Sequence, residues 1–273
     1  MGDSVDELSL TARRIRARLV KMSHDGKAPH LGSALSCVDI LVALYWAAAK
    51  IDVRQPARPD RDRILLSKGH AAAALYAVLA ERGYWDPGLL ETYAGDGSQL
   101  PEQMSPGCVP GVEAATGSLG HGLSLGTGMA LAGRIQQCPY RVWVVLSDGE
   151  CNEGSVWEAA MFTAAQQLGP VTAIIDYNRW QATGRSDEVL QLQPLDDKWR
   201  AFGWEASVVD GHDLSALIAA LDPARSSPTA PRALIARTVK GKGVSFMEDD
   251  NNWHYRIPSE EEVRRACAEL EVS

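Results

Sequence analysis

A chain of 273 residues, 45% of them hydrophobic, is long enough to bury the core of one large α/β domain or two small ones. The formal net charge of −8 argues against a nucleic-acid-binding surface and favours solubility. No apolar run approaches the length of a membrane span, and residues 1–21 lack the apolar segment of a signal peptide. The five cysteines show neither metal-ligand nor redox-pair spacing, so reduced thiols in the cytoplasm are the simplest interpretation.

Helical and strand patterns alternate along most of the chain. Apolar residues at helical spacing predict an amphipathic helix over residues 5–22, followed by a turn-rich stretch over 23–33 and a mostly buried helix over 37–49. Residues 52–62 and 94–118 are rich in turn formers and are predicted loops. Further helices are predicted at 71–82, 153–168, 194–202, 213–222 and 258–271, the last with Ser259 as N-cap and Glu262 three positions later. Strands are predicted at 63–67, 141–147, 171–176, 204–209 and 232–237.

This alternation predicts an α/β fold in which a parallel sheet with right-handed crossovers is flanked by helices on both faces. A Pro- or Ser-rich linker is not found anywhere in the sequence. Residues 1–273 are therefore predicted to form a single domain.

Two apolar runs joined by a helix-like segment carry the most specific chemistry. The first run, 142–146, is followed by Ser147-Asp148-Gly149-Glu150, and the second, 171–175, is followed by Asp176-Tyr177-Asn178. Parallel strands would place Asp148 and Asn178 at the sheet edge where open α/β folds bind ligands. Carboxylate and amide oxygens suit Mg²⁺ or Ca²⁺, and Gly149 before a helix allows a diphosphate to approach the backbone. An Asp-Gly turn with an unrelated Asn is the alternative, and the spacing of one strand-helix-strand unit argues against it.

Three other short motifs have both a functional and a purely structural interpretation. His70 lies between a predicted strand and a helix, a geometry that holds anions, although such a histidine is often a cap or a packed core residue. The glycine-rich segment 110–122 forms either a ligand-binding loop or a flexible connector, and His121 at its end opens the next helix. Lys240 and Lys242 lie in a Lys-Gly repeat that could be a solvated turn.

The stretch from Ser147 to Asn178 resembles the thiamine-diphosphate motif of the transketolase family. In the family this motif is a Gly-Asp-Gly followed one strand-helix-strand unit later by Asn. Ser147 replaces the first glycine and leaves both metal ligands in place. The stretches SDGECNEGSVWEAA and KGKGVSFMED also resemble transketolases. The resemblance covers nearly the whole chain and is closest to the N-terminal half of a transketolase that is split into two chains.

The resemblance implies the diphosphate-binding domain fold of these enzymes, with thiamine diphosphate and Mg²⁺ (or Ca²⁺) as cofactors. It assigns the metal to the side chains of Asp148 and Asn178 and the backbone carbonyl of Trp180, proton handling to His30 and His254, and an interface position to Glu153. The residues assigned to the cofactor are His70, Gly117, Ser118, Leu119, Asp148, Gly149, Glu150, Asn178 and Lys240.

Two departures from the family pattern concern the substrate side. Family members commonly carry a His-Pro in the long loop, where the histidine contacts the terminal hydroxyl of the donor, whereas this loop has Gln103 and no histidine. Glutamine can hydrogen-bond a hydroxyl but cannot carry a proton. The family's Asp-Gly shortly after the metal Asn is Thr183-Gly184 here. The donor is therefore left open.

The implied reaction transfers a two-carbon ketol unit from a ketose or ketose phosphate to an aldehyde, with thiamine diphosphate as electron sink. In the family, the activating Glu lies on a pyrimidine-binding domain that would follow residue 273, so a separate C-terminal subunit and an α2β2 assembly are expected. The alternatives are an acyloin synthase or other carboligase with a different donor, and a thiamine-diphosphate-binding subunit without catalysis. A 2-oxo acid dehydrogenase subunit fits the Lys-Gly repeat less well, and a nucleotide-binding domain would need a Gly-rich phosphate loop after the first strand.

Overall fold

The computed structural model describes residues 3–225 and 227–271. Its five strands form one parallel sheet in the order β1-β2-β3-β5-β4. The strands are β1 (Arg63–Leu66), β2 (Val142–Ser147), β3 (Val171–Tyr177), β4 (Glu205–Asp210) and β5 (Arg232–Arg237). The α-helices of the described residues are α1 (Val5–Asp25), α2 (Leu31–Ser36), α3 (Val38–Ala43), α4 (Ala72–Arg82), α5 (His121–Ile135), α6 (Gly154–Ala165), α7 (Ser186–Val189), α8 (Leu195–Ala201), α9 (Leu214–Leu221) and α10 (Glu260–Glu269).

The sheet is covered by helices on both faces, which confirms the predicted fold class. Every residue of β2 and β3 is buried, as expected for strands read from continuous apolar runs. Trp143 and Val145 on one face of β2 join a core that includes α1, α3, α4 and α9. Val142 and Val144 on the other face join a second core with α5, α6 and α8.

Helices α1 and α10 both begin with a capping box. At α1, the Ser4 side chain accepts from the Glu7 backbone and the Glu7 carboxylate accepts from the Ser4 backbone at 2.6 Å. At α10, Ser259 and Glu262 form the corresponding pair, which confirms the predicted N-cap. Each capping box satisfies backbone N–H groups that the helix itself cannot pair.

The structure differs from the sequence prediction between residues 23 and 49. Part of the turn-rich stretch folds as α2, whose six residues are all buried. The predicted helix over 37–49 is divided into α3 and a π-helical turn, Leu44–Ala48. Short 3₁₀ turns at Pro87–Thr92 and Asn251–His254 also have no counterpart in the prediction. The loop over 94–118 is confirmed, and no helix among the described residues is long and apolar enough to cross a membrane.

Candidate active site

A cavity of about 370 Å³ opens at the carboxyl ends of β1, β2 and β3. Its walls come from segments that are far apart in the sequence. The lining residues are His30, Ser33, His70, Gly117, Leu119, Ser147, Gly149, Asn152, Glu153, Asn178, Trp180, Gln181, Ala182, Thr183 and His254. A larger cavity of about 940 Å³ near the ends of β4 and β5 is lined by none of the predicted site residues, so the smaller cavity is the candidate site.

Nine of the predicted site residues line this cavity, namely His30, His70, Gly117, Leu119, Gly149, Glu153, Asn178, Trp180 and His254. Asp148, Glu150 and Lys240 are buried behind its wall. Ser118 and Gln103 are exposed and do not line it. His121 begins α5 with an exposed ring whose Nδ1 lies 3.1 Å from the Leu119 carbonyl, in agreement with the structural interpretation. The structure thus brings most of the predicted set together, and the role of each residue stays a prediction.

The strand register brings the two predicted metal ligands side by side. Ser147 of β2 pairs with Asp176 of β3, so Asp148 and Asn178 follow directly on neighbouring strands. The Asp148 carboxylate accepts hydrogen bonds from the backbone N–H groups of Gly149 at 2.9 Å and Arg179 at 2.8 Å, and from a serine hydroxyl. The Asn178 Oδ1 accepts from the backbone N–H of Trp180 at 3.0 Å. These bonds hold both oxygens in a defined orientation.

The donor set fits one hard divalent cation. Asp148 and Asn178 are almost fully buried, and burial raises the pKa of Asp148 to about 7. A cation at this carboxylate would favour its charged form, and oxygens that accept one or two hydrogen bonds retain lone pairs for a metal. No cluster of three His, Cys, Asp or Glu side chains that could hold a metal occurs within residues 3–225 and 227–271. The carboxylate and amide oxygens of Asp148 and Asn178 are hard donors of the kind that Mg²⁺ and Ca²⁺ prefer.

A buried ion pair lies directly below the cavity. The Lys68 ammonium contacts the Asp176 carboxylate and donates to the Ser33 carbonyl at 2.8 Å, and both charged side chains are fully buried. Asp176 also accepts from Ser36 at 2.7 Å and from Thr238. Burial alone would lower the pKa of Lys68, but neighbouring groups, the Asp176 carboxylate foremost among them, together raise that pKa above its usual value. Sequence reasoning missed this pair, because nothing in the two motifs indicates that they meet.

Three histidines meet on one side of the cavity. The ring centroids of His30, His70 and His254 lie 5.0 to 5.9 Å from one another. Burial lowers the pKa of all three rings, and for His254 burial together with the Lys240 charge lowers the pKa to about 3. At neutral pH the cluster is therefore uncharged, and each ring has one nitrogen that donates and one that accepts.

Lys240 fixes the tautomer of His254. Its Nζ lies 3.0 Å from His254 Nδ1 and 2.7 Å from the Asn251 side-chain oxygen. An ammonium group only donates hydrogen bonds, so Nδ1 of His254 accepts and the ring proton lies on Nε2. Burial lowers the pKa of Lys240 to about 8, which leaves the group mainly protonated at neutral pH.

The long loop reaches the histidine cluster through Glu102. The Oε1 atom of Glu102 lies 3.3 Å from His30 Nδ1. The prediction had instead singled out Gln103, whose amide packs against Gly117 so closely that a Cβ on that glycine would overlap it. The composition of a loop does not indicate which of two adjacent polar side chains turns inward, and sequence reasoning therefore missed Glu102.

Glu150 and Gln181 shape the cavity in ways that the sequence did not indicate. The Glu150 carboxylate accepts from the Ser67 hydroxyl and from the backbone N–H groups of Gly120 at 2.9 Å and Ser147 at 3.2 Å, so it joins the glycine-rich loop to two strand ends. The Gln181 side chain lies over Gly149, where a Cβ would come within 2.9 Å of it. Its Nε2 is buried and has no hydrogen-bond partner among the described residues, so it is available to a ligand.

A parallel sheet covered on both faces, with a hard oxygen pair and a histidine cluster at its carboxyl edge, is the architecture expected of a thiamine-diphosphate-binding domain. A family model described as "Transketolase, thiamine diphosphate binding domain" matches residues 8–272. The chain belongs to the transketolase family.

Two relatives match over nearly their whole length. The chain is 42% identical to the 6-deoxy-6-sulfo-D-fructose transketolase subunit of a Clostridium species over 89% of this chain and 88% of that protein. It is 38% identical to an apulose-4-phosphate transketolase subunit of Phocaeicola vulgatus over 97% of this chain and 94% of that protein. Both similarities support a transketolase-type subunit.

The solved transketolases are longer chains with the same fold. The crystal structure of transketolase from Campylobacter jejuni superposes with a TM-score of 0.92 at 26% identity and covers 99% of this chain. This chain spans only 44% of the Campylobacter protein. The comparisons confirm the predicted family and fold class, and they identify the chain as the thiamine-diphosphate-binding part of a transketolase-type enzyme.

Proposed function

We propose that this chain is the diphosphate-binding subunit of a two-chain transketolase. The enzyme transfers a two-carbon ketol unit from a ketose or ketose phosphate donor to an aldehyde acceptor. The observation that carries this proposal is that Asn178, which lies beside the buried Asp148, lines the same cavity as His30 and His254. Cation binding and proton transfer to substrate oxygens can take place together only where such groups share one site.

The cofactor would bind across the floor of the cavity. Asp148, Asn178 and the Trp180 carbonyl would hold Mg²⁺ or Ca²⁺, with the diphosphate against Gly149 and the helix dipole behind it. The remaining assigned residues would contact the diphosphate or the rings, namely His70, Gly117, Ser118, Leu119, Glu150 and Lys240. Bound thiamine diphosphate supplies an electron sink for the two-carbon unit.

The histidines would act on the oxygens of the substrate. His254 has its proton on Nε2 because Lys240 occupies Nδ1, so it can donate a hydrogen bond to a carbonyl or hydroxyl oxygen. His30, whose ring centroid lies 5.0 Å from that of His254, can accept a proton from a neighbouring hydroxyl and return it. The buried walls of the cavity strengthen these interactions by excluding water.

A separate chain with the pyrimidine-binding domain would complete the site in an α2β2 assembly. The matches to proteins named as subunits, which cover 88% and 94% of those proteins, support this part of the proposal. Glu153 is exposed at the cavity wall, where the resemblance places an interface. Leu125, Met161 and Phe162 on α5 and α6 are between 40% and 49% exposed, so these two helices present apolar side chains that another chain would cover.

The donor is the part of the proposal with a specific alternative. Gln103 replaces the loop histidine of the family, and this change favours a carboligase, such as an acyloin synthase, that uses a different donor. The two named relatives already differ in their sugars, a sulfonated fructose and a phosphorylated apulose. A donor screen on the assembled enzyme separates ketol transfer from other carboligation.

Calorimetric titration of thiamine diphosphate with Mg²⁺ tests the function. The titration is done on this chain alone and on its mixture with the product of the adjacent reading frame. We expect tight binding only in the mixture, because the pyrimidine half of the cofactor needs the second chain. No binding in either sample would contradict the catalytic proposal and favour a non-catalytic role.

The Asp148→Ala variant is the control for the metal assignment. It removes the carboxylate and should abolish Mg²⁺-dependent binding, because water in a small cavity cannot replace a buried charge. Asp148→Asn keeps the shape of the side chain without its charge and should also bind far more weakly. Unchanged affinity in both variants would show that the cation is held elsewhere.

A further inference from the structure

We propose that Glu102 is a positioning residue that makes His30 the proton-carrying member of the histidine cluster, while His254 serves as a neutral hydrogen-bond donor. The catalytic role given to His30 rests on the proposed function. The pairing itself is a property of this chain and can be measured without turnover.

The geometry places a carboxylate beside the inner nitrogen of His30. His30 Nδ1 lies 3.3 Å from Glu102 Oε1, within the distance of an ion pair. Nδ1 is buried and makes no hydrogen bond of normal geometry within the part of the chain that the structure describes. The His30 side chain is 14% exposed and that of Glu102 is 40% exposed, so the glutamate can rotate to complete the bond while the ring stays fixed.

The charged and titratable groups around His30 differ in sign. His70, His254 and Tyr255 surround the ring with centroids 5.0 to 6.0 Å away, and Lys240 acts on it from behind His254. Glu102 is the carboxylate that acts on His30 among the described residues. Burial and Lys240 lower the pKa of His30, and Glu102 opposes them.

Unlike His30, His254 has only neighbours that disfavour a proton on its ring. Lys240, His30 and Lys68 all act together with burial to lower its pKa, and among the described residues no carboxylate counts among these influences. Its Nδ1 is occupied by the Lys240 ammonium. A proton arriving in the cluster is therefore stabilised on His30 and not on His254, so the two rings have different roles.

The backbone keeps the two rings in this arrangement. His30 has a φ of 71°, in the left-handed region that non-glycine residues seldom adopt. Its N–H donates to the His254 carbonyl at 2.7 Å, and its carbonyl accepts from Ala34 at 3.0 Å in the first turn of α2. The ring cannot exchange places with its neighbour, so the roles are set by charge.

The proton transfer follows from this pairing. When a substrate hydroxyl gives up its proton, its O–H bond breaks and an N–H bond forms on Nε2 of His30. Glu102 stabilises the resulting imidazolium by accepting from Nδ1–H, and the same proton later returns to the oxygen of the acceptor aldehyde. A base oriented by a third group is a common arrangement in catalysis.

Histidine NMR titration of the full-length chain tests the pairing. The ring signals of the six histidines are followed against pH in the unsubstituted chain and in Glu102→Gln, with His30→Gln to assign the signal. We expect the Glu102→Gln change to lower the midpoint of His30 by about 1 pH unit, since a nearby carboxylate favours the protonated ring. The matched control is Glu91→Gln, an exposed carboxylate in the preceding 3₁₀ turn, which should leave His30 unchanged. An unchanged His30 midpoint in Glu102→Gln, or an equal shift in the control, would overturn the proposal.

The pH–rate profile of the assembled enzyme gives a second readout. If protonation of His30 sets the acid limb of kcat/KM, the Glu102→Gln change moves that limb to lower pH, because the ring loses its proton at lower pH. A limb that stays in place would show that Glu102 has no positioning role. Failure of cofactor binding in the calorimetric experiment would remove the catalytic meaning of the pair, whereas the NMR titration would still decide whether the pair exists.

Discussion

Lys68 and Asp176 carry opposite charges and are buried at the carboxyl edge of the sheet, where each depends on the other. Both side chains are fully buried. Taking two charges out of water costs several kcal/mol per ion, and the pair offsets this cost only while both partners and their hydrogen bonds are present. Ser36 and Thr238 supply such bonds to Asp176, so the pair holds the base of the cavity in one arrangement.

The Lys68→Met change should destabilise the chain by about 3–5 kcal/mol, because it leaves the Asp176 carboxylate buried without its counter-charge. Urea unfolding followed by circular dichroism measures the loss. The double variant Lys68→Met/Asp176→Leu serves as the control and should be more stable than the single variant. A double variant that loses the sum of the two single losses would show that the residues do not interact.

Functional residues could be predicted from the sequence where they directly follow a recognisable strand. They could not be predicted where only tertiary contacts decide which side chains point into the cavity. Asp148 and Asn178 were predicted because each ends an apolar strand, and the parallel register then brings them together. Glu102 and Gln181 lie in irregular segments, where no periodicity indicates the direction of a side chain. Lys68 and Asp176 are far apart in the sequence, so no local pattern indicates that they form an ion pair.

Gly69, between β1 and α4, packs directly against the backbone of the glycine-rich loop. A Cβ on Gly69 would lie 2.6 Å from the backbone nitrogen of Gly117 and from the carbonyl carbon of Thr116. Such contacts are with backbone atoms, which cannot move aside as a flexible side chain can. The position of the segment that includes Gly117 and Leu119 in the cavity wall therefore depends on the absence of a side chain at Gly69.

We expect Gly69→Ala to displace this segment, lower stability by about 1–3 kcal/mol and weaken cofactor binding at least tenfold. Denaturant unfolding and calorimetry with the partner chain measure the two effects. Gly128→Ala is the matched control for unfolding of this chain alone, because Gly128 is exposed within α5 and has open space around its Cβ position. That change should stabilise the helix by about 0.5–1 kcal/mol. Normal cofactor affinity in Gly69→Ala would contradict the close-approach argument.

Helices and strands could be predicted where the pattern of polar and apolar residues extends over several residues. The buried runs of β2 and β3 and the Ser259 capping box were confirmed within a few residues. The six-residue helix α2 was missed, because an element that is buried on all sides shows no alternation of polar and apolar residues. The π-helical turn that follows α3 depends on packing and has no sequence signal of its own.

Buried neutral histidines make the stability of the whole molecule depend on pH. The pKa of His254 falls from 6.5 to about 3 on folding, so between these values the unfolded chain binds a proton that the folded chain does not. Stability is therefore lost as pH falls below about 6.5. Asp148 acts in the opposite direction, because its pKa is raised to about 7 and its contribution is lost as pH rises through that value.

Comparison with His254→Asn isolates the histidine contribution, since asparagine does not titrate and retains an acceptor for Lys240. Between pH 7 and pH 5, the unsubstituted chain should lose about 2 kcal/mol more stability than the variant. Urea unfolding at a series of pH values gives this difference. Parallel curves for the two proteins would mean that His254 is protonated in the folded chain.

The cavity wall joins segments from nearly the whole length of the described chain, from His30 before α2 to His254 in a late 3₁₀ turn. A ligand that contacts all of these segments binds only the folded chain, so its binding free energy adds to the free energy of folding. At a concentration one hundred times its dissociation constant, a ligand adds about 2.7 kcal/mol, and the melting temperature then depends on ligand supply. Proteases attack the unfolded fraction, so the amount of this protein that persists in a cell would depend on how much cofactor is available.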